Sequence, residues 1–394
     1  MAKREVVLCQ PVRTAIGSFG GSLSETGVDR LGAAVIGETV RRTGLDRGRI
    51  DGVIMGNVIQ AGAGMNPARQ AAIHAGLCST VPAMTVNRVC GSGAQAVVSA
   101  ACEILSGAAD CLVAGGMENM DRAPYLLDRA RNGYRMGNAV VIDSMLHDGL
   151  IDAFSGEHSG WHTEDLAARY SLTRKMQDAW AARSQSRFAR AQEAGRFDDE
   201  IVGMTVRRGR DEVVFDRDEH NRPSTTAEGL ARLPAAFRED GTITAGNSPG
   251  LNSGASAMVV ADRAWAEAND CVPAARLAAF GIAAVEPAMF GLGPVPAVRA
   301  ALERAKWSVS DGERYEINEA FATIAIAVTR ELGLAEDLVN VDGGAIAHGH
   351  PIGATGAVLT TRLIHSMRRD RLKRGVVGLC IGGGQGIALA LEVF

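Results

Sequence analysis

The chain has 394 residues, 46% of them hydrophobic and 22% charged, with a formal net charge of −4. That balance suits a well-buried globular protein of two or more domains and excludes a disordered or fibrous one. Charges of both signs are interspersed, so nothing basic enough to hold nucleic acid or an anionic membrane is expected, and Arg207, Arg208 and Arg210 are a local feature.

The chain opens on a charged segment, Met1–Val7, with no long apolar stretch behind it. No apolar run is read as reaching the roughly 18 residues of a membrane span, so a cytoplasmic protein is expected. Short β-branched runs then alternate with alanine-rich helical patterns: 5–9, 31–42, 53–59, 67–75, 81–90, 92–105 and 111–114. This rhythm predicts an α/β fold with a largely parallel sheet. From about Asp121 to Leu251 charged and turn residues increase, and within that block 173–194 reads as a helix capped by Thr173, with apolar positions at Met176, Trp180 and Phe188. The first rhythm returns as strand 276–282, helix 296–306, strand 314–317, helices 320–332 and 355–368, and strands 376–380 and 387–393.

The chain therefore reads as duplicated. Asp51-Gly-Val-Ile-Met-Gly-Asn57 resembles Asp311-Gly-Glu-Arg-Tyr-Glu-Ile-Asn318, Cys90-Gly-Ser-Gly-Ala94 resembles Gly353-Ala-Thr-Gly-Ala357, and Leu112-Val-Ala-Gly-Gly116 resembles Leu379-Cys-Ile-Gly-Gly383. The three matches fall in the same order.

Seven cysteines, with no CxxC unit, read as free thiols in a reducing compartment and argue against a disulfide framework or zinc site. Five are expected in the core. Cys90 stands between an apolar strand and a helix whose start is marked by Ser92 and Gln95, read as a capping box. The unpaired N–H groups there favour a thiolate, and Gly91 and Gly93 let a carbonyl approach the backbone. Gly91–Ala96 also satisfies the GxGxxA form of a dinucleotide site, which keeps an NAD-dependent oxidoreductase open; Asp110, however, precedes the strand 111–114 where that site needs an acid closing it.

His350 lies in the glycine-rich stretch Gly343–Ala357, able to take a thiol proton or to hydrogen-bond a carbonyl. His348 is read as surface or supporting. Cys380 mirrors Cys90, a thiol running into glycines; a second thiol suggests a second proton transfer, α to a thioester carbonyl. Asn318, before an apolar helix, reads either as a helix cap or as a polar site residue that orients water.

Taken together, Val86–Ala96, Asn318–Ala322, Gly343–Ala357 and Cys380–Gly386 resemble the four signature segments of the thiolases, and the likeness covers the whole chain, including Gly115–Asn119 and Thr244–Asn247. The resemblance implies a duplicated thiolase fold. Residues 1–121 plus 252–273 would form the N-terminal half, 122–251 a loop domain covering coenzyme A, and 274–394 the C-terminal half. It implies that Cys90, helped by His350, accepts an acyl group from acyl-CoA, and that Cys380 then removes the α-proton of a second acyl-CoA. His350 with a water on Asn318 would form one oxyanion hole, and the N–H groups of Cys90 and Gly382 the other. Arg222, Ser248, Phe290, Ser159, His158 and Phe321 would contact substrate or CoA. CoA would be a substrate, with no resident cofactor or metal, and the assembly a homodimer or homotetramer, Tyr125–Asp143 resembling the family's tetramerisation region.

Ser159 and Phe290 stand where the family often has methionine, and Pro249 where it often has serine, so the acyl pocket is expected to differ. Within the same fold a decarboxylating ketosynthase lacks a second catalytic cysteine, which Cys380 supplies. A non-catalytic CoA- or lipid-binding relative would have lost one of Cys90, Asn318, His350 and Cys380, and all are present.

Overall fold

The computed structural model describes residues 4–394; Met1–Lys3 of the charged leading segment, and the Arg208 side chain, lie outside the described residues. The main strands are β1 (Val6–Thr14), β2 (Gly52–Gly56), β3 (Ala83–Val86), β4 (Cys111–Asn119), β5 (Asn252–Asp262), β6 (Pro273–Ala284), β7 (Arg314–Ile317), β8 (Arg374–Ile381) and β9 (Gln385–Val393). The main helices are α1 (Val28–Thr43), α2 (Pro67–His74), α3 (Ser92–Ser106), α4 (Ser159–Arg169), α5 (Arg174–Glu193), α6 (Pro294–Ala305), α7 (Ala322–Leu332) and α8 (Thr355–Asp370).

The duplication is visible in the sheet path β7-β8-β9-β6-β1-β5-β4-β2-β3. In one half β2 runs parallel to β4, β4 antiparallel to β5, and β5 antiparallel to β1. The other half repeats this with β7, β8, β9 and β6, and the halves meet at the antiparallel pair β1 and β6. The three sequence matches occupy equivalent places: the exits of β2 and β7, the starts of α3 and α8, and the strands β4 and β8.

Alternation along the strands builds the layers, because successive side chains point to opposite faces. Val6, Leu8, Leu112, Val377 and Leu379 join a central core with Val97 and Leu363 of α3 and α8. Val7, Cys9 and Val113 face α1 and α2, whereas Val376 and Cys380 face α6 and α7. Helices α3 and α8 thus lie between the halves. They pack so closely that a Cβ on Gly93 would come 2.7 Å from Ala357 N, and one on Gly356 2.3 Å from Ala94 N. This contact sets the turns before the two helices side by side.

Several expectations need correction, first that of a largely parallel sheet: the pairs β7–β8, β4–β2 and β2–β3 are parallel, but the rest of the path from β8 through β9, β6, β1 and β5 to β4 is antiparallel. Val89–Ser106 does reach the length and apolarity of a membrane span, with mean hydropathy 1.3 over 18 residues, because most of α3 is buried as the middle layer, although Cys102 and Leu105 near its end are exposed. Ser92 and Gln95 form no capping box: Ser92 Oγ accepts from Arg88 N and donates to Val89 O, and Gln95 Nε2 donates to Ser99. Of the five cysteines expected in the core, Cys9, Cys111 and Cys271 are buried but Cys78 and Cys102 are exposed. The buried strand β5 has no counterpart among the predicted elements. Between β4 and β5 the chain forms α4, α5 and the hairpin Met204–Arg208 with Asp211–Phe215, and Thr173 caps α5 as expected, accepting from Met176 N.

Candidate active site

Cys90 follows a backbone turn that the chain holds under strain. Val89 has φ of 44°, a left-handed conformation that a β-branched residue adopts at a cost of about 1–3 kcal/mol. The turn is latched by Ser92, whose hydroxyl bonds both Arg88 N and Val89 O, at 2.9 and 2.7 Å. The strain aims the thiol into a cavity of about 780 Å³ rather than into the core.

The turn before α8 supplies His350 to the same cavity. Its backbone N–H donates to Asn252 Oδ1 at 2.9 Å, and its Nδ1 lies 2.7 Å from Thr355 Oγ1. That hydroxyl spends its proton on Pro351 O, so it can only accept from the ring. The network therefore assigns the proton to Nδ1 and leaves the Nε2 lone pair to accept, held only by a long contact of 3.4 Å from Asn318 Nδ2. Asn318 does not cap α7, whose first residue is Ala322. Its Oδ1 is buried without a partner among the described residues, an acceptor available to a donor in the site.

Burial governs the charges here. It pushes the Cys90 thiol up to about 11, against the N–H groups of Gly382 and of Cys90 itself, which favour the thiolate. The expected resting thiolate is thus corrected to a neutral thiol, because losing water outweighs two backbone donors. Burial likewise holds His350 neutral, its pKa down to about 4. An imidazole in the same cavity whose Nε2 carries only that long contact can take the thiol proton as the sulfur attacks.

Cys380 is fully buried in β8, and its thiol is held well above the ordinary range, first by burial and then by nearby Cys90. The glycines that follow have separate reasons. Gly383 and Gly384 have φ of 81° and 87°, which closes the β8–β9 hairpin, and a Cβ on Gly384 would meet Val285 O at 2.5 Å. A Cβ on Gly382 would meet only Val89 at 3.7 Å, so its bare backbone leaves room on the cavity side.

Of the remaining sequence candidates, His158, Ser159, Ser248, Phe290 and Phe321 line the cavity with Cys90, His350 and Gly382, whereas Arg222 is exposed outside the wall, tethered through its N–H to Gln185. His158 caps α4 by accepting from Gly160 N, stacks on Phe237 at 4.6 Å, and is kept neutral by burial. Phe237, which no sequence signal marked, also meets Phe321 edge-on at 6.0 Å and completes an aromatic wall. His348 is not at the surface: it sits in the short helix Ala345–His348, wholly buried, its ring 6.0 Å from Phe188. Glu319 accepts from Trp180 and Ser184 of α5 and from Asn340 and Ile346 N, which ties the inserted segment to the loop carrying His350.

The dinucleotide alternative fails on geometry. Cβ atoms on Gly91 and Gly93 would strike Ile381, Ala357 and Ala354 O, so these glycines serve packing between the halves, and Asp110 pairs with Arg4 at 2.7 Å.

A duplicated α/β protein in which one cavity joins a strained cysteine turn to a neutral imidazole, with a second thiol behind, has the equipment of a cysteine-dependent acyltransferase. The chain belongs to the thiolase family: the model of the thiolase N-terminal domain matches residues 6–264 and that of the thiolase C-terminal domain residues 271–393. It is 51% identical to an acetyl-CoA acetyltransferase of Pseudomonas aeruginosa over 389 residues, covering 98% of this chain and 99% of that protein. It is 48% identical to an acetyl-CoA acetyltransferase of Escherichia coli, with 99% of each covered. The crystal structure of the Bacillus anthracis acetyl-CoA acetyltransferase superposes with a TM-score of 0.98 at 42% identity, over 100% of both chains.

Proposed function

We infer that this chain is an acetyl-CoA C-acetyltransferase, condensing two acetyl-CoA to acetoacetyl-CoA and CoA and, in reverse, cleaving short 3-oxoacyl-CoA by thiolysis. The observation that carries the reading is the meeting of Cys90 and His350 in one cavity, with Asn318 bonded to the imidazole and Cys380 behind. Cys90 Sγ attacks the thioester carbonyl while His350 Nε2 takes its proton, and the departing CoA thiolate recovers that proton. The N–H groups of Cys90 and Gly382 serve one oxyanion, and a water on Asn318 with His350, which donates from Nε2 while it holds a thiol proton, the other. Cys380 then passes its own thiol proton by way of water to His350, its thiolate removes the α-proton of the second acetyl-CoA, and the carbanion displaces Cys90, whose thiolate takes the proton back from His350.

CoA enters as a substrate, under the inserted 122–251 segment. Tyr125, Met136 and Val140 are 68%, 98% and 75% exposed around the hairpin Tyr125–Leu126 with Ile142–Asp143, apolar surface that suits burial by further copies in a homodimer or homotetramer. A cytoplasmic location fits its buried free thiols. The test is thiolysis: acetoacetyl-CoA and CoA should give acetyl-CoA, and a purified chain that leaves acetoacetyl-CoA untouched sinks the reading.

Two smaller expectations follow from the cavity. Ser159 and Phe290 both line it, so Ser159→Met should fill space beside Phe290 and raise the kcat/KM ratio of acetoacetyl-CoA over 3-oxohexanoyl-CoA by about tenfold, the worth of a methylene or more in an apolar pocket. An unmoved ratio would place Ser159 outside the acyl pocket. Arg222→Ala should raise KM for CoA about threefold to fivefold and leave kcat in place, since an exposed cation contributes under about 1 kcal/mol. A fall in kcat instead would show that Arg222 does not act on the CoA nucleotide.

A further inference from the structure

Glu118, near the end of β4, is a buried carboxylate that the reaction above does not use. Oε2 accepts from Val58 N at 3.0 Å and Gly353 N at 2.9 Å; Oε1 accepts from Asn57 Nδ2 at 2.7 Å and Ile59 N at 3.3 Å. These donors come from two separate segments, the exit of β2 in one half and the turn Pro351–Ala354 in the other. Both segments belong to the site. Val58 and Ile352 line the cavity, and Val58, Ile59 and Ile352 pack with Cys90 in one apolar cluster. Gly353 follows His350 by three residues, and a Cβ on it would strike Glu118 Oε2 at 2.6 Å, so the turn is fitted to the carboxylate.

We propose that Glu118 is a positioning residue for acyl transfer: by taking N–H donors from both halves on one carboxylate, it fixes the turn carrying His350 against the wall carrying Cys90. The proposal rests on the acyl-transfer reading of this site. A shared acceptor is the direct physical means of holding two unconnected backbone segments in register, because a buried N–H left without a partner is costly. Without it the His350 turn would be held to this wall by apolar contacts alone. A displacement near 1 Å at reacting groups costs about 10²-fold in rate. Burial pushes the carboxyl up to about 7, opposed by the same donors, and its charge falls on Cys90, which places it at close range to the thiol.

The test uses the full chain with Glu118→Leu and Glu118→Gln, each checked for folding by thermal melting. The rate read is exchange of labelled CoA into acetyl-CoA. Glu118→Leu should lower the exchange kcat by tenfold or more, with KM for acetyl-CoA within about threefold, because the aromatic wall is not tied to Glu118. Glu118→Gln should recover most of that loss. One amide oxygen can still accept from Val58 and Gly353, which keeps the tie between the two segments, while the amide NH₂ gives up only the acceptor for Asn57 Nδ2 and Ile59 N within one of them. A folded Glu118→Leu with normal kcat, a KM that rises as much as kcat falls, or a Gln variant as slow as Leu would each overturn the proposal. Should Leu not fold, Glu118→Asp replaces it, one methylene too short to reach both segments, with the same loss expected and a normal kcat overturning the proposal. Wild-type protein without any exchange would instead refute the acyl-transfer reading itself.

Discussion

Cys90→Ala should abolish both thiolysis of acetoacetyl-CoA and exchange of labelled CoA into acetyl-CoA, by about 10⁴-fold or more, while the protein stays folded. The size follows from the chemistry. Every route through the site begins with a covalent bond at Sγ, and a methyl group offers no nucleophile. Folding should survive because Cys90 packs only against a small satellite cluster of Val58, Ile59, Met120 and Ile352, and the strained turn is latched by Ser92 rather than by the thiol. Binding should survive as well, since the aromatic wall of His158, Phe237 and Phe321 is untouched. The measurement is exchange and thiolysis on a variant whose melting matches the wild type. Rapid exchange in Cys90→Ala would mean that the acyl group is held elsewhere.

Much of this was legible in the sequence because the site is built from turns, where glycine spacing betrays backbone demands. Gly343–Ala357 and Cys380–Gly386 showed glycine-rich turns, and the three matches in order showed the duplication. The fold escaped where burial came on both faces. Strand β5 begins Asn252-Ser-Gly-Ala-Ser-Ala, small and polar, yet it is buried throughout. A Cβ on its neighbour Gly115 would already come 2.1 Å from Ser256 O, so small residues are imposed by packing and no alternation survives to be read. The electrostatic expectation failed for a related reason. A helix start favours a thiolate, but the sequence cannot report that Cys90 is desolvated, and desolvation wins. Phe237 and Glu118 were invisible for want of a local signal: each acts through partners distant in the chain, Phe237 through His158 and Phe321, Glu118 through Asn57 and Gly353.

Cys380→Ser should stop condensation, by about 10³-fold or more, and leave acyl transfer to Cys90 detectable by exchange. The separation rests on where the two thiols lie. Cys90 is at the cavity wall, whereas Cys380 is fully buried in β8 and outside the groups that bond His350. Its thiol resists ionisation through burial and through the nearness of Cys90. Acylation removes the second obstacle, because a thioester at Cys90 carries no charge, so Cys380 becomes easier to ionise once the first half-reaction is complete. That ordering suits a base needed only in the second step. Serine keeps the volume nearly unchanged, but its hydroxyl is a far weaker acid than a thiol and gives no usable base. The two half-reactions should therefore part: labelled CoA exchange within about tenfold of wild type, and acetoacetyl-CoA formation from acetyl-CoA lost. Both rates can be read on one preparation, with hydroxylamine trapping of the acyl-enzyme as a third reading. Equal loss of exchange and condensation would mean that Cys380 takes part in loading Cys90, and the division of labour between the two thiols would have to be redrawn.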